Sequence, residues 1–196
     1  MSASLISVIG PPAVGKTTLA ELLAAELPAT LIREDYEGNP FLADSYTGPR
    51  EARLPAQLFY LLSRVSQLSA ADWPDDGVFV SDYGFCQDRL YATHRLSADE
   101  MRVYDPVHDR LAELIHPPDV LIGLDASVGT LLERIARRGR DFERAITADF
   151  LSSMKQAYNG VIDSAACPVV TVQCNEVNLL ASEPRKGIVA EVRRLL

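Results

Sequence analysis

The sequence predicts an α/β domain in which helices flank a five-stranded parallel sheet. Two observations support this: five short, nearly continuous apolar runs typical of buried strands, and helical periodicity between them. The predicted strands are SLISVIG (4–10), TLIRE (30–34), GVFVSD (77–82), DVLIGLDA (119–126) and PVVTVQC (168–174). The predicted helices cover about 16–27, 50–71, 97–115, 128–138, 148–165 and 183–195. With 196 residues, 47% of them apolar, the chain is expected to form one domain over 1–196.

Composition excludes several classes of protein. A net charge of −8 argues against binding a nucleic acid polymer, because a phosphate backbone requires clustered positive charge. No apolar run reaches the roughly 18 to 20 residues that cross a bilayer, and the N-terminus lacks the pattern of a secretory signal. The three cysteines have no C-x-x-C spacing, so neither a disulfide framework nor a zinc site is indicated. We therefore expect a cytoplasmic protein that makes no membrane contact.

The segment GPPAVGKT, from Gly10 to Thr17, satisfies the pattern G-x-x-x-x-G-K-[ST] between a predicted strand and a predicted helix. In that context the backbone N–H groups surround the phosphates of ATP, Lys16 reaches the β- and γ-phosphates, and the Thr17 hydroxyl ligates Mg²⁺. The expected ATP-binding residues are Gly10, Pro11, Pro12, Ala13, Val14, Gly15, Lys16, Thr17 and Thr18. The motif predicts a P-loop NTPase fold, but GTPases, motor ATPases and small-molecule kinases all share it.

Carboxylates follow three of the predicted strands. Glu34 ends TLIRE, Asp82 ends GVFVSD, and Asp125 lies in LIGLD. Because ligands of open parallel sheets bind beyond the carboxyl ends of the strands, these acids are candidates for chemistry. We expect Asp82 to hold Mg²⁺ and Glu34 to take a proton from an acceptor hydroxyl. Asp125, which directly precedes a predicted helix, is expected to be an ordinary strand-end acid.

The long predicted helix carries Gln57 and Arg64 on one face, seven residues and nearly two turns apart. Phe59 and Tyr60 lie between them. An amide side chain pairs well with the edge of a nucleobase and an aromatic ring stacks on it, so the helix is a candidate nucleobase pocket. Ordinary amphipathic packing explains the same pattern when the helix is considered alone.

An arginine-rich segment is a candidate lid over about residues 134–146. Arg134 and Arg138 share a helix face, and Arg140 follows Gly139, a residue that commonly ends helices. Guanidinium groups delivered there would stabilise charge on a transferring phosphoryl group. A solvated basic helix C-terminus, favoured by the helix dipole, is the simpler alternative.

These elements, in this order and spacing, resemble the deoxynucleoside kinase family, particularly its bacterial deoxyadenosine and deoxyguanosine kinase members. The resemblance runs from the P-loop to about residue 160. It implies that Glu34, in REDYEGNPFL, is the general base. It also implies that Tyr46 binds the sugar 3′-hydroxyl, eleven residues before a base-recognising Gln57, and that Arg64 belongs to the nucleoside site.

One family motif is altered in this sequence. The family has an acidic residue followed by Arg and Ser and, further on, a base-contacting Asp, whereas this chain has DYGFCQD. Asp82 matches the acidic position and Asp88 the base-contacting position, but Tyr83 and Gly84 replace the Arg and the Ser. The family's Arg supplies positive charge near the 5′-hydroxyl, and a tyrosine donates a hydrogen bond without that charge.

The resemblance implies an ATP-dependent kinase that phosphorylates the 5′-hydroxyl of a deoxynucleoside in nucleotide salvage, and a homodimer. The implied catalytic residues are Glu34, Lys16, Arg134, Arg138 and Arg140. Glu143 matches the sugar-contacting carboxylate of the family lid. Two alternatives stay open: a P-loop kinase for another small hydroxylated or phosphorylated acceptor, with Tyr83 marking a reshaped pocket, and a nucleotide-binding protein without efficient catalysis. In the second case, Tyr83→Arg would restore activity.

Overall fold

The computed structural model describes residues 3–175, 179 and 181–196, with the side chain of Ser182 left aside. Its described strands form one parallel sheet in the order β2-β3-β1-β4-β5. The strands are β1 (Ser4–Ile9), β2 (Thr30–Ile32), β3 (Val78–Ser81), β4 (Val120–Asp125) and β5 (Val169–Gln173). Each lies within a predicted strand, so the predicted five-stranded parallel sheet is confirmed. With β1 at the centre, the segment after β1 leaves the sheet between the ends of β3 and β4.

The described helices are α1 (Lys16–Glu26), α2 (Leu42–Thr47), α3 (Arg53–Leu68), α4 (Gln87–Arg95), α5 (Ala98–Ala112), α6 (Val128–Arg138), α7 (Ala148–Asp163) and α8 (Ser182–Leu195). Six correspond to predicted helices, although the predicted helix at 50–71 is α3 with a 3₁₀ turn at each end. Helices α2 and α4 were not predicted from the sequence. Helix α4 buries Gln87 and Asp88 together with Ala92, so it lacks the apolar periodicity that reveals a helix.

The two edge strands differ from the expectation that every strand is buried on both faces. The central strands β1 and β4 are almost entirely buried. In β5, however, Val170 and Val172 point into the core while Thr171 and Gln173 are exposed, and Thr30 of β2 is exposed. The expectation is wrong for β2 and β5 because an edge strand has a neighbouring strand on one side alone and is incompletely covered.

The largest apolar cluster joins the sheet to α1, α6 and α8 on one face, and smaller clusters cover the face packed by α7 and by α3. Among the residues described, no helix has both the length and the apolar character needed to cross a bilayer. The result is a central sheet whose strand ends meet at one edge, where α1, α3, α4 and the segment after α6 converge.

Candidate active site

The segment between β1 and α1 forms the phosphate-binding loop predicted from the sequence. Its backbone takes positive φ at Gly10 (145°), Ala13 (61°) and Gly15 (115°), a curvature that glycine adopts without strain. At Gly10 a Cβ atom would lie 2.5 Å from the carbonyl oxygen of Leu124 in β4, so close packing against the sheet also requires glycine. The Lys16 Nζ donates hydrogen bonds to the carbonyl oxygens of Gly10 at 2.9 Å and Pro11 at 3.2 Å.

Lys16 is held in an environment that disfavours its charge. Burial lowers the pKa of Lys16 to about 8, although the nearby carboxylates of Glu34 and Asp82 favour the protonated form. The neighbouring arginines Arg138 and Arg64 lower the pKa further. A phosphate anion bound in the loop would favour the ammonium form, so anion binding and Lys16 protonation are coupled.

Asp82 connects the phosphate-binding loop to the acceptor side of the site. Its Oδ2 accepts a hydrogen bond from the Thr17 hydroxyl at 2.7 Å, and its Oδ1 accepts one from the backbone N–H of Glu34 at 2.8 Å. The side chain is largely buried, and burial raises the pKa of Asp82 against the effect of these two hydrogen bonds. The strand β3 therefore ends next to a carboxylate that holds two functional segments together.

The oxygens of Thr17 and Asp82 suit Mg²⁺, a hard cation that commonly takes one or two protein ligands and completes its shell with water and substrate phosphates. Within the described ranges, no three His, Cys, Asp or Glu residues lie together as a metal cage. The site thus fits a magnesium ion that arrives with a nucleotide.

Glu34 lies at the centre of a charged network on the acceptor side. Its Oε1 accepts hydrogen bonds from Arg64 and, at 2.6 Å, from the Gln87 side-chain amide. Another nitrogen of Arg64 lies 2.6 Å from Asp88 Oδ1. Burial disfavours the charge of Arg64, but Asp88 and Glu34 outweigh that effect and raise its pKa well above the usual value. Arg64 is therefore a permanent cation that joins two carboxylates.

Asp88 differs from the direct base contact that was expected of it. The residue is completely buried and does not line the cavity, whereas Arg64 and Gln57 do. Asp88 is ion-paired with Arg64, and Arg64 is the member of the pair that lines the cavity. The prediction of a direct contact is corrected on this point.

A cavity of about 680 Å³ extends from the phosphate-binding loop past Glu34 to α3 and α4. A volume of this order suits a small organic ligand. Tyr46 lines this cavity between a cation and an aromatic ring. The Arg95 guanidinium lies 3.8 Å from the centroid of the Tyr46 ring, and the centroid of the Phe142 ring lies 5.4 Å from it. Burial raises the pKa of Tyr46, so its hydroxyl stays protonated and able to donate to a ligand.

The predicted lid closes one side of the cavity. Gly139, with a φ of 69°, ends α6 in the left-handed conformation, and a 3₁₀ turn at Asp141–Ala145 follows. Arg138 donates through Nε to Glu143 Oε2 at 2.9 Å, and Arg140 lies 3.6 Å from Glu143 Oε1. The lid arginines and the predicted sugar-binding carboxylate are therefore brought together, and in this structure they pair with each other.

Arg134 lines the cavity with the other lid arginines and also contacts the backbone of the phosphate-binding loop. Its two terminal nitrogens donate to the backbone carbonyls of Val14, at 3.0 Å, and Cys174, at 2.6 Å. These contacts fasten the phosphate-binding loop to the end of β5. In this structure Arg134 therefore supports the loop, and its direct contact with a phosphoryl group stays a prediction.

Comparison with protein families now identifies the chain. The model of the family described as "Deoxynucleoside kinase" matches residues 6–196. The chain belongs to the deoxynucleoside kinase family. A curated deoxyguanosine kinase from Bacillus subtilis is 31% identical over 178 residues, which cover 87% of this chain and 85% of that protein. A deoxyadenosine kinase from Dictyostelium discoideum is 29% identical over 178 residues, covering 87% of this chain and 72% of that protein.

Solved structures show the same fold. A deoxyadenosine kinase from M. mycoides with bound dCTP superposes with a TM-score of 0.79 at 18% identity, covering 98% of this chain and 100% of that chain. The same protein with bound dATP gives a TM-score of 0.77 at 18% identity, covering 97% and 99%. The P-loop NTPase fold predicted from the sequence is confirmed.

The altered family motif has a structural explanation. Tyr83 is completely buried beside Leu5 and Leu68, and its hydroxyl donates to Gln67 Oε1 at 2.6 Å. At Gly84 a Cβ atom would lie 2.6 Å from Ile9 Cγ2, so a serine at this position would require Ile9 to shift. Tyr83 does not line the cavity itself, but its ring lies 5.4 Å from the guanidinium of Arg64, which does.

The remaining strand-end acid is structural, as expected. Asp125 Oδ1 lies 3.0 Å from Lys155 Nζ, and Asp125 does not line the cavity. This ion pair joins the end of β4 to α7.

Sequence reasoning missed several cavity residues of this deoxynucleoside kinase. Gln87, Tyr91 and Arg95 all line the cavity from α4, a helix that was not predicted, and Tyr36 lines it from the loop after β2. Arg140 packs over the Tyr36 ring at 4.2 Å. One sequence signal could have revealed these residues of α4. Gln87 directly precedes Asp88, and if the segment is taken to be a helix, the residues one and two turns later lie near them.

Proposed function

We propose that this protein transfers the γ-phosphoryl group of ATP, with Mg²⁺, to the 5′-hydroxyl of a deoxynucleoside. As a deoxynucleoside kinase, it is a phosphotransferase that acts on a nucleoside hydroxyl. The main support for transfer from ATP to the 5′-hydroxyl is the position of Asp82. Its carboxylate accepts hydrogen bonds from the Thr17 hydroxyl in the phosphate-binding loop and from the backbone N–H of Glu34. These contacts support the proposal because they hold the phosphate-binding loop and the Glu34 carboxylate next to one cavity.

On the donor side, the chain supplies backbone N–H groups, the Lys16 ammonium and the start of α1 to the phosphates. Thr17 and Asp82 are the proposed Mg²⁺ ligands, and the ion when bound offsets phosphate charge. Arg138 and Arg140 exchange their contacts with Glu143 for phosphate oxygens when ATP is present. Guanidinium groups suit this role because they remain charged and bind oxygens in pairs.

On the acceptor side, Glu34 accepts the proton of the attacking 5′-hydroxyl. Tyr46 and Glu143 bind the sugar hydroxyls; both line the cavity next to the lid. Gln57, which is 3% exposed and faces the cavity, hydrogen bonds to the base edge, with Arg64 beside it. Asp88 contributes through its ion pair with Arg64.

The similar curated proteins are named for deoxyguanosine, deoxyadenosine and deoxycytidine, which makes the two purine deoxynucleosides the first substrates to assay. Purified protein is incubated with Mg²⁺ and γ-labelled ATP and each of the four common deoxynucleosides. Label in a deoxynucleoside 5′-monophosphate is the expected result. Folded protein that labels none of the four would contradict the proposal. Label in a different small alcohol would favour the alternative acceptor.

We further propose a homodimer located in the cytoplasm. Leu62 of α3 and Val103 of α5 are each 57% exposed, and Val107 and Leu114 are also exposed, which gives these neighbouring helices an uncovered apolar surface. The three cysteines are free, as expected in a reducing compartment. Light scattering after size exclusion would test assembly: a dimer that Leu62→Glu converts to a monomer is expected, and a monomer at all concentrations would contradict it.

A further inference from the structure

Gln87 binds the proposed general base directly. It is the first residue of α4, is 2% exposed, and lines the cavity. Its Nε2 lies 2.6 Å from Glu34 Oε1, and its own Oε1 accepts a hydrogen bond from the Tyr158 hydroxyl at 3.3 Å. Gln87 therefore connects helix α7 to the Glu34 carboxylate.

The chemistry of its two neighbours determines which way the Gln87 amide points. An ionised carboxylate accepts hydrogen bonds and donates none, so the NH₂ group must face Glu34. Burial raises the pKa of Tyr158 well above its usual value, so its hydroxyl keeps the proton that it donates to the amide oxygen. Both neighbours favour the same orientation, and the amide is a preorganised donor.

The donors to Glu34 are unevenly distributed. Arg64 and Gln87 both donate to Oε1, and within the described part of the chain Oε2 receives no such donor. Two donors on one oxygen hold the carboxylate plane and leave the second oxygen for a substrate hydroxyl. Tyr83, which follows Asp82, is packed into the core and supplies no donor to Glu34.

We propose that Gln87 is a positioning residue for catalysis: with Arg64, it holds the Glu34 carboxylate so that Oε2 receives the proton of the substrate hydroxyl. This inference rests on the proposed function, in which Glu34 is the base. Gln87 thereby orients the carboxylate from α4, whereas the Tyr83 hydroxyl donates to Gln67.

A test of Gln87 must leave the charged groups around Glu34 unchanged. Arg64 and Asp88 face it from α3 and α4, Lys16 from α1, and Asp82 from the end of β3. All of these groups remain in a Gln87 variant. A change in kcat is then attributable to the lost amide donor.

The test compares Gln87→Leu with Gln67→Leu. Gln67 is a matched control because it also makes two hydrogen bonds, to Tyr83 and to the Arg33 carbonyl, but does not line the cavity. For each variant, kcat and KM for the deoxynucleoside are measured across pH, together with the thermal unfolding midpoint. Gln87→Glu, which keeps the shape of the side chain, is the second variant should Gln87→Leu fold poorly.

We expect Gln87→Leu to lower kcat by about tenfold with little change in KM, because misplacement of a base affects the transition state rather than substrate binding. A lowered kcat with an unchanged KM distinguishes a residue that positions the base from one that contacts the substrate. Gln87→Glu should lower kcat further at neutral pH by placing a second carboxylate beside the first. Gln67→Leu should keep both the kcat and the KM of the parent protein.

Four outcomes would overturn the inference. A raised KM with unchanged kcat and pH profile would make Gln87 a substrate contact. An equal loss in Gln67→Leu that follows the unfolding midpoint would make the effect structural. If both Gln87 variants behaved like the parent protein while Glu34→Gln was inactive, the role of Gln87 would be refuted and the role of Glu34 as base would stand. If Glu34→Gln stays active, the failure instead belongs to the proposed base, and the Gln87 role that depends on it falls as well.

Discussion

The donor half and the acceptor half of the site are built in different ways. The donor half is one contiguous segment, residues 10–18, which acts largely through its backbone. The acceptor half gathers Glu34, Arg64, Gln87 and Tyr158 from the loop after β2 and from α3, α4 and α7. Local sequence suffices to form the first half, whereas the second depends on helix packing. The donor half should therefore tolerate changes that disable the acceptor half.

The largest expected effect is on turnover in Glu34→Gln. Removal of a general base should lower kcat by about 100- to 10,000-fold, while ATP affinity stays close to that of the parent protein. Steady-state kinetics and calorimetric titration of ATP measure the two quantities. Asp125→Asn is the control, because Asp125 is also a strand-end acid but pairs with Lys155 outside the cavity. If Glu34→Gln kept turnover within tenfold of that of the parent protein, Glu34 would not be the base that the acceptor half supplies.

Arg64→Met tests the buried network of the acceptor half. Asp88 would be left charged and unpaired in the core, so the free energy of unfolding should fall by about 3–5 kcal/mol. Urea denaturation measures this change. Arg102→Met removes an exposed arginine that pairs with Asp99 on the surface of α5, and it should leave stability nearly unchanged. Equal effects in the two variants would contradict the importance of the buried pair.

Tyr83→Arg should destabilise the protein rather than restore an absent charge. The new guanidinium would lie in an apolar cluster, and the Tyr83 ring already lies 5.4 Å from the Arg64 guanidinium. The expected loss is about 3 kcal/mol in the free energy of unfolding, against about 1 kcal/mol for Tyr83→Phe, which loses one hydrogen bond. Denaturation of both variants is the measurement. A Tyr83→Arg protein that is both stable and more active would favour the original sequence interpretation.

The smallest effect concerns the donor half and pH. The pKa of Lys16 is lowered to about 8, so the free protein loses this charge as pH rises above that value. ATP affinity should therefore weaken by about tenfold between pH 7 and 9, and titrations at several pH values measure it. Since the unfolded lysine binds its proton more tightly, the free energy of unfolding should rise between about pH 8 and 10.5. Both dependences should vanish in Lys16→Met, and their persistence there would assign them to another group.

The donor half of the site could be predicted from the sequence more completely than the acceptor half. Glu34 and Asp82 were found because a carboxylate directly after a buried strand is visible in the sequence, and Gln57 and Arg64 because helical spacing puts them on one face. Gln87 and Arg95 were missed because α4 has a polar buried face and no apolar period. Asp88 was assigned a direct contact from its match to a family motif, and such a match reports position along the chain and not depth below the surface.

The sequence by itself determined the parallel sheet, the phosphate-binding loop and the family, since each depends on residues that are close in the chain or on their order. The tertiary structure decided which side chains meet. It placed Tyr83 in the core, turned Arg134 toward two backbone carbonyls, and brought Gln87 to the carboxylate of Glu34. These outcomes depend on how helices pack across the sheet edge, because hydrogen bonds and ion pairs require contact distances that no linear pattern records.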